Sequence, residues 1–147
     1  MTFTARPTLA APNGSDPTSR AVHLILPYPP TVNTYWRMVT IKGRGRVLIS
    51  KRGRAYRQEV GLIVMANRLE RFGYAKLKVR IDACPPDNRR RDLDNLPKAV
   101  LDALQKAGVY SDDSNIDDLR IVRGSTVKPG HILVDIEAIT QKESTHD

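Results

Sequence analysis

Apolar positions along the chain change their period several times, and each change marks an element. Val22 to Leu26 is an apolar run of strand length, halted by Pro27. Pro29 and Pro30 then force extended or turning backbone, and Asn33, Tyr35 and Trp36 fall on the loop that follows. From Ser50 the spacing predicts a helix to about Arg71, with Ser50 as N-cap and Gly73 just past the end. Tyr56, Val60, Ile63 and Asn67 share one side of it. Ala75 to Ala83 alternates, with Leu77, Val79, Ile81 and Ala83 facing one way and Lys76, Lys78, Arg80 and Asp82 the other, the pattern of a half-buried strand. Leu96, Val100, Leu104 and Ala107 line the stripe of a second helix, stopped by Gly108. Pro97 is harmless only in a first turn, so this helix should begin between about Asp94 and Leu96.

Leu119 to Val122 is a β-branched run, Lys128-Pro129-Gly130 a turn, and Ile132, Val134, Ile136 and Ala138 one face of a last strand. The final two strands read as a C-terminal hairpin. Together these elements predict an α+β single domain over 21–140, a mixed β-sheet with two main helices. The Pro-, Thr-, Ala- and Ser-rich stretch 1–20 is expected to be a disordered N-terminal arm, and 141–147 a frayed C-terminal tail.

Charge changes this picture. The 147 residues carry 24 Lys+Arg against 16 Asp+Glu, a formal net charge of +8, which suits a polyanion such as nucleic acid. Eight basic residues and no acidic one lie between Arg37 and Arg57. Arg44 and Arg46 belong to a glycine-rich hairpin tip, with Val47 to Ile49 as its returning strand. Lys51, Arg52, Arg54 and Arg57 crowd the first turns of the helix that starts after Ser50. Cations are disfavoured there by the helix dipole, whereas backbone N–H groups and cations together suit phosphate. One cysteine, Cys84, excludes an internal disulfide, and three scattered histidines exclude a zinc site. No stretch approaches the roughly 20 apolar residues of a membrane span, and the N-terminus lacks an export-signal pattern. A cytoplasmic location is expected.

Against this basic background, the segment from Asp92 to Asp118 holds seven carboxylates and two lysines. Asp92 and Asp94 are two apart, so extended backbone would turn both to one side, at the corner where a helix presents its positive end. Hard cations such as Mg²⁺ take one or two carboxylates together with substrate phosphate and water, and a third aspartate from a distant loop would complete such a set. Lys98 lies one turn along from Asp94 and could hold the attacked phosphate or the leaving oxygen. Arg89, Arg90 and Arg91 would draw a polyanion to a site that would otherwise repel it. The segment containing Asp112 and Asp113 does not complete an EF-hand, lacking its glycine and terminal glutamate. A helix from about Asp94 to Ala107 is roughly 20 Å long, and the chain from Ala107 to Asp113 spans roughly 20 Å when taut. Asp113 therefore either runs back beside the helix to its own Asp92–Asp94 corner or reaches the corner of a partner subunit.

The stretch RRRDLDNLPKAVLDALQKAGVYSDD, beginning at Arg89, closely resembles the signature of the RusA-type Holliday-junction resolvases, endodeoxyribonucleases of bacteria and their phages. LPYPPTVNTYWR near the start and S-x-x-G-x-A-Y-R at Ser50 to Arg57 extend the resemblance over about Val22 to Ile139. It implies a RusA-like fold, a homodimer, and Mg²⁺-dependent cutting of branched DNA at four-way junctions, with Mn²⁺ an alternative metal. The family's catalytic, metal-holding aspartates fall on Asp92, Asp94 and Asp113, its essential lysine on Lys98, and supporting positions on Asn95 and Arg91. Pro97 departs from the pattern, as does the long N-terminal arm. Two other classes use the same residues: a basic DNA-binding module without chemistry, and a metal-dependent nuclease acting on structured RNA.

Overall fold

The computed structural model describes residues 20–139; the expected N-terminal arm, apart from Arg20, and the expected tail at 141–147 lie outside them. Strand β1 (Ala21–Pro27) leads to a single helical turn, α1 (Val32–Tyr35), capped by the Thr31 side chain. A two-stranded ribbon follows, β2 (Trp36–Ile41) and β3 (Arg44–Ile49). Helix α2 (Lys51–Ala66), strand β4 (Leu77–Cys84), helix α3 (Pro97–Lys106) and strands β5 (Ile116–Arg123) and β6 (His131–Ala138) complete the order.

The main sheet runs β1-β6-β4-β5. β6 is antiparallel to both β1 and β4, and β5 is parallel to β4, so the sheet is mixed, as predicted. Alternation decides which side is buried: Leu24, Leu26, Leu77, Val79, Ile81, Ile132, Val134 and Ile136 are all at most 1% exposed. They meet Val60 and Ile63 of α2 and Ala99, Val100, Ala103 and Leu104 of α3 in one core. The opposite face of β4 leaves Lys78 and Arg80 in solvent, giving the usual two-layer arrangement of helices on one side of a sheet.

Four local expectations are corrected. The C-terminal hairpin does not form, because β6 inserts between β1 and β4 while β5 pairs with β4 through the α3 crossover. The physical reason lies in the strands themselves. β6 alternates apolar residues on its core side, whereas β5, with Asp117, Asp118, Arg120 and Arg123, carries the charge that suits a sheet edge. Helix α2 stops at Ala66 rather than Arg71. The Asn67 amide donates to the Ile63 carbonyl at 2.7 Å and Arg68 takes a positive φ of 48°, turning the chain so that buried Phe72 can bond the Val109 carbonyl. Tyr35 and Trp36 are not loop residues but end one element and begin the next. Finally, Leu93–Asn95 forms a 3-10 turn, so Asp92 and Asp94 are not an extended pair.

The root of the ribbon is tightly built. The Ser50 N–H donates to the Tyr35 carbonyl at 2.9 Å, and the Ser50 hydroxyl caps α2 through Gly53 N–H at 3.0 Å. A Cβ at Gly53 would stand 2.5 Å from the Tyr35 carbonyl oxygen, so only glycine permits this approach of α1 to α2.

Candidate active site

The acidic stretch leaves the carboxyl end of β4, where crossovers of this kind place ligand sites. Asp87 fixes the loop by accepting from the Arg89 N–H at 3.0 Å and from Arg91 Nη1 at 2.7 Å. These bonds, that from Arg91 first, hold its carboxyl down at about 2. Arg91 also lies over the Tyr28 ring, and its carbonyl accepts from Arg123 Nη2 at 2.6 Å. Asp92 follows in extended conformation, its carbonyl accepting from Asn95 N–H at 3.3 Å to close the 3-10 turn. Buried Leu96 anchors the turn, and Pro97 occupies the first helical position, where its missing N–H costs nothing. The start of α3 thus falls just past the predicted window, with the carboxylates at its N-terminal end as expected.

Asp92 and Asn95 line a cleft of about 170 Å³ with Tyr28, Pro30, Arg90 and Leu96. Asp94 is exposed. Among the described residues, neither the Asp92 nor the Asp94 carboxylate is held in an ion pair or side-chain hydrogen bond, whereas Asp82, Asp87, Asp102 and Asp117 each face a cation. Two unneutralised carboxylates in a basic protein form a donor set whose chemistry suits a hard divalent cation.

Asp113 stands beside the other end of α3. Tyr110 is buried with its hydroxyl on the Leu101 carbonyl at 2.5 Å, and Ser111 N–H bonds the Gly73 carbonyl at 2.9 Å. Burial first, and then the Asp113 and Asp102 charges, push the Tyr110 phenol well above its usual range. The chain turns back so that Asp113 N–H meets Gln105 Oε1 at 3.3 Å, while Asp112 caps the next turn through Ser114 N–H at 2.9 Å. Among the described residues no three of His, Cys, Asp and Glu stand together closely enough to hold a metal ion. One chain brings Asp92 and Asp94 to the start of α3 and sets the Asp113 backbone against the Gln105 side chain, near its far end.

Between the β2–β3 ribbon and α3 runs an open groove of about 850 Å³, onto which Trp36, Arg37, Met38, Lys98, Asp102 and Asp113 face. Lys98 is exposed, one turn before Asp102. The periodicity alone sends Asp102 to solvent, but its carboxylate accepts from Arg57 Nε at 2.7 Å and from the Tyr35 hydroxyl. Arg57 also bonds the Tyr35 oxygen at 3.0 Å and lies 5.5 Å from the Trp36 ring centroid. Burial and then the Asp102 contact raise the Tyr35 phenol far above its ordinary value. Arg57, predicted to meet DNA phosphate, is ion-paired with Asp102 within the chain, its side chain partly exposed. Arg44, Arg46, Lys51, Arg52, Arg54, Arg89 and Arg90 are exposed, as binding requires, and Arg91 is half-buried against Asp87.

No helix among the described residues is long and apolar enough to cross a membrane. The family model for Endodeoxyribonuclease RusA matches residues 27–137. The chain is similar to "Crossover junction endodeoxyribonuclease rusA" of Enterobacteria phage HK97, 41% identical over 120 residues that cover 82% of this chain and 94% of that protein. It is similar also to the protein of the same name from Enterobacteria phage 82, 44% identical over 110 residues, 75% of this chain and 88% of that one. A third relative of that name, from Escherichia coli K12, is 42% identical over 109 residues, 74% and 88% of the two chains. The matched residues take in both main helices, strands β2 to β5, nearly all of β6 and every acidic residue at the two ends of α3, and by this match the chain belongs to the RusA family of endodeoxyribonucleases.

Proposed function

We propose that the protein is a Mg²⁺-dependent, structure-selective endonuclease that resolves four-way DNA junctions in recombination and repair. The observation that carries this reading is the pair of unneutralised carboxylates, Asp92 and Asp94, at the positive end of α3 in a chain of net charge +8. When bound there, a divalent cation supplies acidification of water and neutralisation of phosphate charge. Asp92 and Asp94 hold and orient it, and Lys98, one helical turn on, faces the negative charge that builds on the phosphate during in-line displacement. Asn95 fixes the Asp92 backbone through its N–H. The exposed arginines and lysines of the ribbon, of α2 and of the loop before Asp92 bind the DNA backbone, and would confer salt-dependent affinity.

The working form on this reading is a homodimer, since two coordinated cuts call for two equivalent sites related by a two-fold axis. The length of α3 between Asp94 and Asp113 favours completion of each site by Asp113 of the other copy. Asp92→Asn is the direct test. It should abolish cutting of a synthetic four-way junction in Mg²⁺ and leave junction binding intact or tighter, because a negative charge is removed. Cleavage at the wild-type rate would refute the site.

A further inference from the structure

Junction selectivity needs a surface that can tell a branch from plain duplex, and the phosphate-binding cations cannot supply it, because they read backbone common to both. The β2–β3 ribbon offers a different chemistry. Its register pairs Trp36 with Ile49 and Met38 with Val47, so by the two-residue alternation all four share one face. Trp36 and Ile49 pack against the core. Met38 and Val47 continue the same stripe outward, 78% and 59% exposed, over the groove that also holds Lys98 and Asp113.

The ribbon cannot swing freely away from that groove. It grows from Tyr35 and Ser50, and the Tyr35 hydroxyl and Arg57 are both bonded to Asp102, one turn along α3 from Lys98. Arg57 also covers the Trp36 ring. An apolar pair is thus held at a fixed place relative to the lysine of the site. We infer that Met38 and Val47 form a wedge that enters the opened base stack at the DNA branch point and registers the branch against Lys98.

Charge decides between this occupant and a second copy of the chain. Arg37, Lys42, Arg44 and Arg46 flank the pair, with no acidic residue from Arg37 to Arg57. A symmetric contact through this face would bring the same cations together, whereas DNA is complementary to them. Apolar wedges, methionine among them, enter base steps whose unstacking is cheap, and a branch point offers steps whose stacking is already interrupted.

The inference rests on the junction-cutting reading, and the experiment separates the two. Wild-type protein, a Met38→Ser/Val47→Ser double variant and a conservative Met38→Leu/Val47→Ile variant are compared for binding to a four-way junction and to linear duplex in Ca²⁺. Cut positions are then mapped in Mg²⁺, and dimer content is read by sedimentation. The serine variant should lose roughly tenfold of its preference for the junction over duplex, about the weight of one base-stacking contact, while its duplex affinity stays put and its cuts scatter over neighbouring phosphates. The conservative variant should keep both preference and cut position. An unchanged preference overturns the wedge, as does a loss of dimer in the serine variant, which would place the pair in the subunit interface. Wild-type protein that neither prefers nor cuts junctions would instead overturn the functional reading itself.

Discussion

Replacing Asp102 by alanine tests how strongly the ribbon is tied to α3. The carboxylate accepts from Arg57 at 2.7 Å, and the two side chains are 21% and 24% exposed, between a surface pair and a buried one. Exposed pairs contribute about 0–1 kcal/mol, and breaking a fully buried pair costs about 3–5 kcal/mol because a charge is left without a partner. Asp102→Ala also strands the Tyr35 hydroxyl, a buried donor whose lost bond to a charged acceptor costs about 1.5–3 kcal/mol. These contributions overlap, so a loss of about 3 kcal/mol is expected, equivalent to a fall in Tm of about 10 °C for a domain of this size. Urea unfolding followed by fluorescence reports it directly, since Trp36 is the only tryptophan and lies against Arg57. Asp102→Asn, which keeps the volume and one acceptor oxygen, should lose about half as much. An Arg57→Met/Asp102→Leu double variant should be more stable than either single replacement, because each single replacement leaves one charge without its partner and the double variant leaves none. A loss below about 0.5 kcal/mol for Asp102→Ala, against the range for surface pairs, would refute the reasoning and reduce the network to a surface contact.

Mixing Asp92→Asn and Asp113→Asn proteins should restore nicking if each site draws Asp113 from the other copy, since half of the sites in the mixed dimer are then intact. Single-turnover assays that show no recovery, with subunit exchange verified, would place all three aspartates in one chain. Lys98→Ala should slow junction cleavage about 100- to 1,000-fold, the usual cost of one charge-stabilising donor, with little change in junction affinity, and cleavage rates under saturating enzyme check it. The Asp87 carboxyl, held down at about 2 by Arg91 and the Arg89 N–H, contributes stability that is present above its ordinary value of 3.8 and lost as pH falls through about 2. The stability difference between wild type and Asp87→Asn should accordingly shrink across that interval, and an NMR titration of Asp87 with a midpoint near 3.8 would contradict it.

Where burial is one-sided, the chain declares its structure in a few residues. β4 and β6 are visible in Leu77-x-Val79-x-Ile81 and Ile132-x-Val134-x-Ile136 because each second side chain meets the helices. Pairing is different: the charges within Ile116–Arg123 mark an edge strand, but which strand it flanks follows from the order of the whole sheet. The end of α2 carried a weak signal, Asn67, which the longer run to Gly73 outweighed. At the site, Pro97 limits where α3 can begin and so places Asp92 and Asp94 at its N-terminal end from sequence alone. Asp102 has no such marker. A lone aspartate in mid-helix looks solvated, and its partners Tyr35 and Arg57 are 67 and 45 residues away. Arg57 is legible as a cation but not as one already spoken for.

The placement of acidic residues at opposite ends of α3 has a consequence for dosage. On the reading proposed above, a solitary copy carries two half-centres and no whole one, so it is inert toward the genome around it. Cutting capacity then grows with the square of concentration while copies are scarce, a threshold that keeps trace synthesis harmless and makes the enzyme competent only when enough of it has accumulated to pair.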